Sequence, residues 1–206
     1  MGCRQESGSG PGADGQVISR YDRFLAERVL GARLGEEAAA LAGDAPGPVL
    51  VVLTTQQDPL LERRWNVVLD AMRKAPAFAG RDVVIHDVAD RSPYDLMRDG
   101  DEPLVAAHLA QALETAPAAA VMLSLMGLPE SPPETPLSVP FLVYDGRALP
   151  RLDDHPARDL ARTLVAPRPG IDFQTVQDHL AREADAFDRY FLVSRAGTDS
   201  TPRPIP

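Results

Sequence analysis

Carboxylates recur in this chain just past short apolar runs. Asp58 follows PVLVVLTT (48–55), Asp87 and Asp90 stand at and after the end of RDVVIHDV (81–88), Glu130 follows AAVMLSLMG (119–127), and Asp145 closes VPFLVYDG (139–146). Thr54, Thr55, Gln56 and His86 lie beside them. If these runs are parallel strands, their exits share one edge, where open α/β sheets keep their crevice. Clustered carboxylates accept hydrogen bonds from hydroxyl groups and ligate hard cations such as Mg²⁺ and Ca²⁺. The candidate ligand-binding residues are therefore Thr54, Thr55, Gln56, Asp58, Asp87, Asp90 and Asp145. An acidic rim of this kind repels phosphates and favours polyhydroxylated or cationic ligands. Each residue also has a local reading: Asp58 caps a helix, Asp90 and Asp145 sit in turns, and His86 ends a strand.

Catalytic patterns are scarce. The chain has no H-x-x-x-H, C-x-x-C, G-x-S-x-G or G-x-x-x-x-G-K-[ST]. His108 falls on a helical pattern, His155 and His179 follow aspartates, and Ser124 lacks the flanking glycines of a nucleophile elbow. No catalytic residue, metal site or cofactor is assigned. The leading expectation is a binding domain without enzymatic activity. The competing one is a metal-assisted hydrolase that draws on the aspartates.

The amino terminus poses a separate question. GPGADG (10–15) fits G-x-G-x-x-G, but that fingerprint needs a strand before it, and MGCRQESGS offers no apolar run. Gly, Pro and Ser without periodicity make a flexible tether. Cys3 is the sole cysteine, which excludes an internal disulfide. Gly2-Cys3 followed by a Gly/Ser-rich stretch resembles the start of a mature bacterial lipoprotein. That resemblance implies lipidation of Cys3, an extracytoplasmic location, and a signal segment encoded upstream. N-myristoylation of Gly2 would call for Ser or Thr at position 6, where Glu6 stands. The alternative is a free thiol on a cytoplasmic protein.

Composition suits a globular body of 206 residues, with 44% hydrophobic and 25% charged residues. The net charge of −9 opposes binding to nucleic acid or anionic lipid. Contact with a membrane would come only through Cys3, since the longest apolar run, 116–128, falls short of the ~20 residues a spanning helix needs. The partners in view are a small polar ligand or another protein.

Two periodicities alternate along the body. Residues 17–43 read as a helix or helix pair, weakened by Gly31 and Gly35, and 48–55 as a strand covered on both faces. Asp58 and Pro59 then open a helix carrying Leu61, Trp65, Val68, Leu69 and Met72 at helical spacing. Strand 81–88, helix 102–116, strand 119–127, a proline-rich loop and strand 139–146 follow. Ala157, Leu160, Ala161, Leu164 and Val165 form a stripe read as a helix, 172–187 reads as another, and 187–194 as a last strand. This order predicts a three-layer, doubly wound, mostly parallel α/β sheet of four to five strands, flavodoxin-like or Rossmann-like. The domain would span 17–195, between a tether at 1–16 and a tail at 196–206.

Residues 48–145 resemble one lobe of a type I periplasmic (sugar-type) binding protein, through VLVVLTTQQDPLLERRWNVVLDAM, RDVVIHDV, LVAAHLAQALETAPAAAVMLSL and VPFLVYD. The resemblance implies that the loop after the first strand touches ligand. That family closes two lobes on its ligand, and this chain is long enough for one.

Overall fold

The computed structural model describes residues 24–55, 58–88, 103–146, 154–170 and 183–196. Helix α1 (Leu25–Ala42) leads into β1 (Val49–Leu53), α2 (Pro59–Lys74) and β2 (Val83–Asp87). Helix α3 (Ala106–Thr115), β3 (Val121–Ser124) and β4 (Phe141–Tyr144) come next. β5 (Thr163–Pro167), α4 (Glu183–Tyr190) and β6 (Phe191–Arg195) complete the set. The strands form one sheet in the order β2-β1-β3-β4-β5-β6. All neighbours pair in parallel except β5 and β6, which are antiparallel.

The sheet therefore has six strands, not four to five, and the excess comes from one misread segment. Ala157, Leu160, Ala161 and Leu164 do face one layer, as a helical stripe would, but Val165 faces the opposite layer. A single 3₁₀ turn (Arg158–Leu160) places the first residues, and the chain then extends as β5, buried throughout. The last strand also starts later than the pattern implied. Phe187–Tyr190 belongs to α4, and β6 opens at Phe191 opposite Pro167.

Alternate strand residues feed two apolar layers, which explains why β1 is hydrophobic without interruption. Val49, Val51, Val121, Leu123, Leu142 and Val165 pack under α1, α2 and α4. Leu50, Val52, Met122, Phe141 and Val143 pack under α3, with Leu137 and Val139 from the proline-rich loop and Ala157 and Ala161 completing that side. Helices thus cover both faces. The crossover from β1 runs outward to β2 and the next returns past β1 to β3, so the order reverses between β1 and β3.

Helix α2 starts where its residues dictate. Asp58 Oδ1 accepts from the Leu60 N–H at 2.8 Å, Pro59 holds the first helical position, and Arg73 and Lys74 meet the negative end. The glycines of α1 have a different role from the weakening that the pattern implied. A Cβ on Gly31 would lie 2.2 Å from the Val68 carbonyl oxygen, and one on Gly35 would lie 2.8 Å from that of Met72. Their bare backbone lets α1 and α2 run side by side in contact. Among the described residues, no helix is long and apolar enough to cross a membrane.

Candidate functional site

β1 and β3, adjacent in the sheet, deliver their carboxyl ends to the point where the strand order reverses. In an open α/β sheet this is where a ligand crevice forms. At the exit of β1 the chain is held from two sides. Thr55 donates to Asp87, from its N–H to Oδ1 at 3.2 Å and from its hydroxyl to Oδ2 at 2.9 Å, which ties the β1 exit to the end of β2. Trp65 on α2 donates its indole N–H to the Thr54 carbonyl at 3.0 Å. The Asp58 N–H donates to the Thr55 carbonyl at 2.9 Å, so a turn leads directly into the α2 cap.

Thr54, Thr55, Asp58 and Asp87 are thus brought together, with Asp58 and Asp87 exposed at the rim. Asp145 occupies another part of the edge and is only 2% exposed. Its Oδ2 accepts from the Leu128 N–H at 3.1 Å, fixing the loop that leaves β3. Gly127 allows this approach: its φ is +88°, and a Cβ there would lie 2.5 Å from Asp145 Oδ2. The same loop is closed by Ser124, whose hydroxyl donates to the Gly127 carbonyl at 2.8 Å and accepts from the Met126 N–H at 3.2 Å. Gln56, Asp90, His179 and Cys3 lie outside the described residues.

Two of the histidines accept from backbone amides. The Val105 N–H donates to His108 Nδ1 at 3.4 Å at the start of α3, and the Ala157 N–H donates to His155 Nδ1 at 3.2 Å. His86 is partly buried on β2, and Glu130 is exposed in the proline-rich loop. Among the described residues, no three His, Cys, Asp or Glu side chains converge as a metal site.

Sequence reasoning passed over Tyr144. At the end of β4 it meets Trp65 edge-on at 6.4 Å between ring centroids and Phe191 edge-on at 6.2 Å. Burial pushes its phenol up to about 12; Glu27 and Asp145 act in the same direction and Arg64 against it. The phenol is therefore neutral across the physiological range. A hydroxyl-bearing aromatic at the exit of an otherwise apolar strand was the available signal.

No protein-family model matches the chain, and comparison with curated proteins finds no significant match.

Proposed function

We propose that this chain is a non-enzymatic, extracytoplasmic binding module, lipid-anchored through Cys3, whose small polar ligand or protein partner engages the carboxyl edge of the sheet. The observation that carries the binding reading is the lock between Thr55, at the exit of β1 where the strand order reverses, and Asp87 at the end of the neighbouring β2. This hydroxyl–carboxylate lock stiffens the β1 exit while leaving Asp87 at the surface beside Asp58. Preorganised acceptors on rigid strand ends suit recognition of hydroxyl donors or cations. The Gly2-Cys3 pair and the Gly/Ser/Pro stretch behind it support the anchor. The resemblance to one lobe of sugar-type binding proteins is part of the same reading.

The described carboxylates disfavour the hydrolase alternative, since they have separate tasks: Asp58 caps α2, Asp87 grips Thr55 and Asp145 holds Leu128. Two experiments test the proposal. In a screen of polyols and divalent cations, Asp58→Ala and Asp87→Asn should each weaken the ligands found by several-fold, whereas Glu114→Ala on α3 should not. Unchanged binding in both variants would remove the site, and Mg²⁺-dependent ester hydrolysis abolished by Asp58→Ala would replace the reading with the hydrolase. In cells that process lipoproteins, the full-length gene product should partition into detergent and Cys3→Ser should release it. A wild-type product that is wholly soluble and unmodified in intact mass would end the anchor proposal.

A further inference from the structure

Most polar groups at the strand-end edge are already used by the protein itself. Asp58, Asp87, Asp145, Ser124 and the Trp65 indole all bond to backbone or to a neighbouring hydroxyl. Tyr144 differs. Its ring is held between Trp65 and Phe191, yet its hydroxyl has no hydrogen-bond partner among the described residues. Neither is that oxygen sealed in: among the described residues, the buried side-chain polar atom without a partner is Arg33 Nε, not Tyr144 Oη. Because the hydroxyl reaches solvent without a protein partner, the fold draws no hydrogen bond from it that phenylalanine would lack. A donor held rigidly at the strand-end edge and not used by the fold is available to a ligand.

We propose that Tyr144 is a ligand-binding residue, donating its hydroxyl to an oxygen acceptor on a neutral ligand seated against the Trp65–Tyr144 wall. This rests on the reading of the strand-end edge as a binding site, and adds a donor to its carboxylate acceptors. Arg64 supplies a second donor nearby. Its Nε donates to Glu27 at 2.8 Å, and its side chain remains 47% exposed. The Glu27 carboxylate balances that guanidinium, and Asp145 adds further negative charge next in sequence, so an anionic ligand is disfavoured. A hydroxyl, carbonyl or amide oxygen fits two donors beside an aromatic wall.

Trp65 is the single tryptophan, so its indole N–H resonance reports on this wall. The full chain would be titrated with myo-inositol and with N-acetylglycinamide, as wild type and as Tyr144→Phe. At least one probe should shift the Trp65 resonance, and Tyr144→Phe should need about tenfold more of it, the loss of roughly one hydrogen bond. The melting temperature of Tyr144→Phe should be unchanged or raised. Equal titration of the two proteins would overturn the role of Tyr144 while leaving the edge as a site. A lowered melting temperature would show that the hydroxyl serves the fold, and would overturn it too. A Trp65 resonance that neither probe moves in wild type would refute the inference together with the small-ligand form of the binding reading.

Discussion

At the scale of single residues, the carboxylates singled out in the sequence also serve the fold, as a helix cap at Asp58 and as loop holders at Asp87 and Asp145. The position of the carboxylates at strand exits was legible, because each follows an apolar run. Their partners were not, because the Asp87–Thr55 and Asp145–Leu128 contacts bridge 32 and 17 positions along the chain. Tyr144 was hidden by the strand it terminates, where an aromatic reads as core. Its state can be checked by pH. The folded phenol is raised from the ordinary 10.0 to about 12, so the native state holds its proton after the unfolded chain has lost it. The associated stability is intact below pH 10 and falls as pH climbs from 10 toward 12, by about 2–3 kcal/mol in total. Denaturant melts across that window should show the decline in wild type and a shallower one in Tyr144→Phe. Parallel curves would mean that the phenol is not desolvated.

At the scale of elements, the strands and α2 could be read from their residues, since β1, β3 and β4 are continuous apolar runs and α2 carries its own cap and proline. What failed was the choice of period where two structures share one face. Ala157, Leu160, Ala161 and Leu164 pack on the same layer from a 3₁₀ turn and a strand, a pattern that one helix would also produce. Gly31 and Gly35 were misleading in another way, because what they permit is contact with a helix that periodicity within α1 cannot reveal. Gly31→Ala separates the two influences. Helix propensity favours alanine by about 1 kcal/mol. Against it stands a Cβ 2.2 Å from the Val68 carbonyl oxygen, a backbone atom that moves only with α2. The clash should win, for a net loss of about 1–3 kcal/mol by analogy with overpacked cores. Thermal unfolding showing Gly31→Ala as stable as wild type would mean that α1 and α2 are not packed this closely.

At the scale of the molecule, alternation of strands and helices was enough to foresee a mostly parallel α/β sheet, and the topological rules for crossovers then place the exits of β1 and β3 together. The two ends of this sheet differ in chemistry. The carboxyl edge carries Thr55, Asp58, Asp87 and Tyr144, whereas at the amino edge Arg81 donates to the Ala45 carbonyl at 3.2 Å and to that of Gly43 beside a shallow hollow lined by Pro46, Gly47 and Gly80. The central claim is that recognition happens at the carboxyl edge. Backbone amide NMR of the isotopically labelled full chain, titrated with myo-inositol and separately with calcium chloride, tests it most directly. Saturable shifts should concentrate at Thr54, Thr55, Asp87 and Leu125–Leu128, with Ala79–Asp82 unmoved. Shifts confined to Ala79–Asp82, or absent throughout for both probes, would contradict the claim.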